Sequence, residues 1–127
     1  MTGTSADVRF AQQVFRGAAI WGVLVVMPLY LAEPIYAYFG RPPVTHPEHL
    51  YGFVGGTLVG QLYYWKIGSD PLRYHAFMPI AVLAKLVYFI PVAVLFALAR
   101  TDAPTLFFAS VDLLLGILFF YAWHRLA

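Results

Sequence analysis

The stretch AFMPIAVLAKLVYFIPVAVLFAL, residues 76–98, holds one ionisable residue, Lys85, about halfway along an otherwise apolar run. Twenty or so consecutive apolar residues suffice to cross the hydrocarbon of a bilayer as a helix. A charge at the middle of such a helix costs roughly 3 kcal/mol or more, so it needs a partner or a purpose. The next apolar run, residues 104–123, carries Asp112. Counted from Ala76, Lys85 stands ~14 Å along its span; counted back from Trp123, Asp112 stands ~16 Å along the other. The tight turn Arg100-Thr101-Asp102-Ala103-Pro104 makes the two spans antiparallel neighbours, so the charges can meet. Tyr88 lies one turn from Lys85 on the same face and can donate into the site.

Two further spans precede this pair. Residues 17–39 form the first, with Pro28 and Pro34 inside it, each removing a backbone donor and bending the helix. The run is too long for the apolar core of a signal peptide, so an uncleaved span is expected. Residues 50–67 form the second, with Gly52, Gly56 and Gly60 repeating every four residues on one face. Such a stripe lets a neighbouring backbone approach closely. Gly116 plays the same helix-packing part in span four, where Ala109, Asp112 and Gly116 share a face. Thr45 and Glu48, with Pro47 between them, read as a capping box opening span two. Gly68-Ser69-Asp70-Pro71 reads as a break and restart, with residues 72–77 along the interface before span three. Residues 1–16 are polar with a weak apolar periodicity, which suggests an interfacial N-terminal segment ahead of a bundle over residues 17–127.

Composition agrees. The chain has 127 residues, 61% of them apolar and only 11% charged, against roughly 25% charged in soluble domains. The expected fold is all-α: a polytopic membrane protein built as an antiparallel four-helix transmembrane bundle. Lys and Arg cluster in the N-terminal tail, the second loop and the C-terminus, so the positive-inside rule puts both termini in the cytoplasm. A formal charge of +2 without a basic stripe gives no reason to expect nucleic acid as a partner. With no cysteine, disulfides, thiol redox chemistry and thiolate metal sites are excluded.

Other polar residues qualify as candidates. Glu33, near the outer end of span one, is followed by Pro34, whose bend would free carbonyls for a cation, proton or amine site; a hydrated carboxylate paired with Arg41 is the plainer reading. Gln61 serves as interhelical hydrogen-bonding glue or as a ligand contact. His46 and His49 stand three residues apart at a helix start, but interfacial histidines commonly just face water, and no metal is expected. His75 and His124 have no matching histidine at haem depth, so no cofactor is expected either. Lys85 and Asp112 themselves admit two readings: a buried ion pair that sets helix register, or a group that binds or relays something polar.

Asp70, Pro71, Arg73 and Tyr74, then Lys85 and Asp112, resemble the pattern of a family of small bacterial four-span membrane proteins, D-P-x-R-Y before span three, L-x-K within it and an aspartate in span four. The resemblance covers residues 60–123 and departs from the family at Ala84, where glutamate is common. It is loosely similar to the DoxX-like four-helix proteins and implies a bacterial inner-membrane location. Asp70-Pro71-Leu72 and Pro91 also resemble, over about one span, the sterol-isomerase and sigma-2-receptor superfamily. That likeness implies sterol or amine binding through intramembrane acids.

Nothing in the chain matches a nucleophile–base pair or a phosphate loop, so an enzyme is not the leading expectation. Three functions follow. The first is an accessory or subunit of a larger membrane complex, with the bilayer, other membrane subunits or a second copy as partners. The second is a binder or modifier of a lipid, sterol-like or amine ligand, with Lys85, Asp112, Tyr88, Glu33 and Gln61 as the ligand set. The third is a proton or small-ion carrier. A cavity reaching Asp112 would favour the second.

Overall fold

A computed structural model of the chain describes residues 3–127, and among them every regular element is helical. Helix α1 (Ser5–Val26) opens with a capping box: the Thr4 hydroxyl accepts from Asp7 N and the Asp7 carboxylate accepts from Thr4 N, both at 3.1 Å. Two of the orphan donors at a helix start are thereby satisfied. Residues 5–16 form the first turns of α1, with Ala11 and Phe15 fully buried, because Ala11, Phe15, Ala18, Ala19 and Gly22 make one small, continuous apolar face.

At Pro28 the α-helical ladder fails. The missing N–H and the ring's clash with the preceding turn turn residues Met27–Leu31 into a 3₁₀ stretch, after which α2 (Ala32–Tyr38) restarts the rod. It ends at Gly40, φ +66°, where Arg41 N reaches Tyr36 O and Gly40 N reaches Ala37 O. That pair of bonds is a Schellman cap.

Helix α3 (Pro47–Ser69) does not use the expected Thr45–Glu48 box. Pro47 forces its predecessor out of the helical region, so His46, at φ −134°, becomes the cap and Glu48 falls one position early. The carboxylate turns instead to His46 Nδ1 at 3.3 Å. Asp70 Oδ1 then accepts from Arg73 N at the restart, and a 3₁₀ turn (His75–Phe77) leads into α4 (Met78–Ala97), which continues through Pro91.

Helix α4 ends as α2 does, with Arg100 N on Leu95 O and Ala99 N on Phe96 O, but here the left-handed residue is Ala99, φ 57°. A Cβ in that conformation costs roughly 1–2 kcal/mol, partly offset because glycine loses more freedom on folding. Ala99→Gly is therefore expected to stabilise the protein by about 0.5–1 kcal/mol, read as a shift in detergent-mediated unfolding. No gain would mean that the strain is relieved locally.

Helix α5 (Ala103–Leu126) is capped by Asp102, whose carboxylate accepts from Thr105 N at 2.9 Å. The bonds from Thr105 hold this carboxyl below the usual carboxylate range. Its contribution to stability is present above the unfolded value of about 3.9 and is lost only as pH falls through the lowered one.

Short connections make the four rods run antiparallel in sequence order. In space α1 packs on α3 and on α5, and α5 packs on α4. Small residues mark the close approaches: Gly22 against Gln61, Gly68 against Phe15 and Arg16, and Gly116 against Lys85. The main buried cluster sits between the first turns of α1 and the last turns of α5. Phe15 stacks on Phe119 (4.2 Å between ring centres), Tyr64 leans on Phe119 (5.1 Å), and Ile67, Met78, Ala81 and Leu126 complete the cluster. Arg125 Nε donates to Asp7 Oδ1 at 3.1 Å, tying the start of α1 to the end of α5.

The outside is apolar: Leu24, Val59, Leu62, Leu83 and Ile117 are each more than half exposed. A water-soluble bundle keeps its polar residues on that face. Three helical segments, Ser5–Tyr38, His75–Ala97 and Ala103–Leu126, are long and apolar enough to cross a membrane, which is compatible with an integral membrane protein. Helix α3 falls short on composition, diluted by its glycines, tyrosines and Gln61.

Candidate functional site

Lys85 and Asp112 meet as their depths require: Lys85 Nζ donates to Asp112 Oδ1 at 3.2 Å. The contact is possible because Gly116, one turn beyond Asp112, lets the Lys85 stem lie against α5; a Cβ there would stand 3.2 Å from Lys85 Cβ. The ammonium also lies over the face of Tyr64, 4.8 Å from the ring centre. Two sides of the charge are thus covered, one by a carboxylate and one by an electron-rich ring, which attracts a cation within about 6 Å. The Lys85 side chain is 7% exposed and that of Asp112 is 24% exposed. The carboxylate, not the amine, is the part of the pair left open.

It opens onto a cavity of about 810 Å³, within the roughly 300–1,000 Å³ usual for small-molecule sites. The cavity lies in the half of the bundle away from the Phe15–Phe119 cluster. Trp21, Val25 and Leu29 of the first rod form one wall; Leu50, Phe53 and Thr57 of α3 form the second; Ala84, Tyr88 and Phe108 face them from α4 and α5. Lys85, Asp112, Gln61 and Tyr64 form the floor, directly above the packed core. Arg41, Asp102 and Thr105 stand at the far, loop-bearing end. The opening exists because α3 and α4, consecutive in the chain, touch only through long side chains on this side. Phe53 stacks on Tyr88 at 5.9 Å, and Tyr64 spans to Lys85.

The glycine stripe has a part other than the one its spacing suggested. A Cβ on Gly52, Gly56 or Gly60 would meet nothing within 4 Å, so none of these residues seats another helix of this chain. Gly56 and Gly60 line the cavity instead: the bare face of α3 is part of what creates the space. The tight contacts of α3 with α1 are made at Gly68, against Phe15 and Arg16, and at Gly22 of α1, where a Cβ would fall on the Gln61 amide.

Gln61 is 3% exposed; its Nε2 donates to Thr57 O at 2.9 Å, while its Oε1 is buried without a donor. Gly56→Ala and Gly60→Ala are each expected to stabilise the protein by about 0.5–1 kcal/mol through helix propensity. Gly22→Ala is expected to destabilise it by about 1–3 kcal/mol through overpacking. Unfolding curves in one detergent compare the three, and equal behaviour would refute the assignment of open and closed faces.

Of the residues expected in the site, Lys85, Asp112, Tyr88 and Gln61 come together. Glu33 does not: its carboxylate accepts from Tyr51 Oη at 2.7 Å on the exposed side of α2, and it is not paired with Arg41. Tyr64 was not among the expected site residues. His46, Glu48 and His49 cluster at the start of α3, exposed, with Glu48 Oε1 3.3 and 3.8 Å from the two rings. They lie apart from the cavity lining. No family model, curated protein or solved structure matches the chain.

Proposed function

We propose that this chain is a four-span integral membrane protein that binds a small, largely apolar molecule in the cavity between its two helix pairs. The observation that carries the reading is the cavity itself: aliphatic and aromatic walls, closed at one end by a packed core and floored by a few convergent polar groups. That is the make-up of a ligand pocket. An ion pair needed only for helix register has no use for a cavity above it. Too few polar groups line the space for a file of water or ions, so transport is not favoured.

Helix α3 counts as the fourth span because its 23 residues reach ~34 Å at 1.5 Å per residue. Its outward residues Val59 and Leu62 are as lipid-compatible as those of the other rods. With both termini on the cytoplasmic side of a bacterial plasma membrane, the mouth near Arg41 and Asp102 faces the outer leaflet, and the Lys85–Asp112 floor lies near the bilayer midplane.

A second reading draws on Gly52 and Gly56, which are exposed and uncovered: a partner subunit's helix fills the same cleft. Native mass spectrometry of the gently solubilised protein decides between them. A retained small-molecule mass that disappears in Gly56→Phe supports ligand binding. A stoichiometric protein partner with no small molecule supports the subunit reading. An empty monomer would sink both.

A further inference from the structure

We infer that the ligand is an uncharged molecule with a hydrogen-bond donor, an alcohol, at one end of an apolar body, and that Asp112 receives the donor on the cavity floor. This rests on the ligand-binding reading above and adds the chemical class and orientation of the ligand.

The floor presents acceptors. Asp112 Oδ1 takes one hydrogen bond, from Lys85, whereas a carboxylate offers about four lone-pair sites. Its side chain is more than three times as exposed as that of Lys85. Gln61 Oε1 is shut in against Gly22 of α1 and is not offered to the cavity, so Asp112 is the acceptor that a ligand can reach. An acceptor left unpaired at the end of an apolar cavity is costly, so the open lone pairs of Asp112 select a molecule that brings a donor.

The charge on the floor is already balanced. An ammonium bound to Asp112 would lie close to Lys85 Nζ, which holds the same carboxylate at 3.2 Å, and would be repelled. An alkanoate would face the open side of Asp112, while Lys85 is committed to that carboxylate and covered by Tyr64. Placed the other way up, with its head at Arg41, an anion would meet Asp102 at the mouth and would press its apolar end against the acceptors below. A plain hydrocarbon leaves the open side of Asp112 unpaired. A hydroxyl supplies one neutral donor and keeps the Lys85–Asp112 pair intact.

The test is photolabelling of the intact protein in lipid nanodiscs with a medium-chain alkan-1-ol carrying a mid-chain diazirine. Unlabelled alkanol, alkane, alkylammonium and alkanoate of equal length compete at equal mole fraction in the bilayer. Labelling is expected to saturate and to map to the cavity walls, with the alkanol competing about tenfold better than each of the others, the effect of one buried hydrogen bond. The double variant Lys85→Met/Asp112→Leu should reduce that advantage while leaving competition by the alkane unchanged. Equal competition by alkane and alkanol, or preference for the alkylammonium, would overturn the alcohol assignment while leaving the cavity a ligand site. No saturable labelling in the wild type, with Gly56→Phe behaving identically, would overturn the ligand-binding reading and this inference with it.

Discussion

Replacing Lys85 with methionine is expected to destabilise the bundle by about 3–5 kcal/mol, the usual cost of removing one partner from a buried ion pair. The aspartate left behind loses its hydrogen bond at 3.2 Å and sits, 24% exposed, beside Tyr64, Tyr88 and Phe108, none of which carries a positive charge. Asp112→Leu leaves the opposite charge uncompensated, with the Tyr64 ring at 4.8 Å as its remaining support, and should cost a similar amount. The double variant Lys85→Met/Asp112→Leu is the informative one. Apolar replacement of a whole buried pair is often neutral or stabilising, so the double variant should return to within about 1–2 kcal/mol of the parent. Unfolding of all four proteins in mixed micelles, followed by far-UV circular dichroism, gives the cycle. Additive losses in the double variant would mean that the two charges are stabilised separately, against the geometry described here.

If the double variant is stable, the pair is not retained for stability, and its exposure to the cavity becomes the reason for its presence. Structure and function then separate in one experiment, because the same variant that folds should lose selectivity for a polar ligand end.

The ion pair was legible in the sequence because two charges in apolar runs must find each other, and short turns between spans leave little choice of depth. The closed half of the bundle was less so. Phe15 precedes Arg16 in a segment that looks interfacial, and only the capping box at Thr4 and the small face Ala11–Gly22 carry the helix back to Ser5. Tyr64 was hidden by its neighbours, since Tyr63-Tyr64-Trp65 reads as an aromatic belt at a membrane surface. What distinguishes Tyr64 is that its face of α3 also carries Gln61 and Thr57, a relation that acquires meaning only once α4 is known to stand opposite.

The glycine stripe shows the limit most plainly. Four-residue spacing establishes a bare face and says nothing of whether a neighbour fills it. Here Gly22, in another helix, and Gly68, outside the stripe, mark the tight contacts, while Gly52, Gly56 and Gly60 look into space. Glu33 found Tyr51, eighteen residues away, because the 3₁₀ stretch after Pro28 re-aims the second half of the first rod.

Phe119→Ala should be comparably severe, costing about 3 kcal/mol or more, whereas Phe107→Ala should change stability by less than about 0.5 kcal/mol. Both phenylalanines lie on α5, but Phe119 is fully buried and Phe107 is 59% exposed. Between helices in lipid the transfer term is small, because hydrocarbon surrounds both states, so the loss is chiefly of packing contacts. Phe119 has many to lose: its ring is stacked within 7° of parallel on Phe15 and also supports Tyr64. The consequence reaches the site. With the Phe119 ring gone, Tyr64 can drop toward the void, and the face that covers the Lys85 ammonium moves with it. Phe119→Ala should therefore weaken saturable labelling of the cavity as well as stability, while Phe119→Leu, which refills most of the volume, should restore part of both. A Phe119→Ala protein that melts early yet binds normally would show that the packed half and the cavity behave as independent units, and that the core is not the platform on which the site is built.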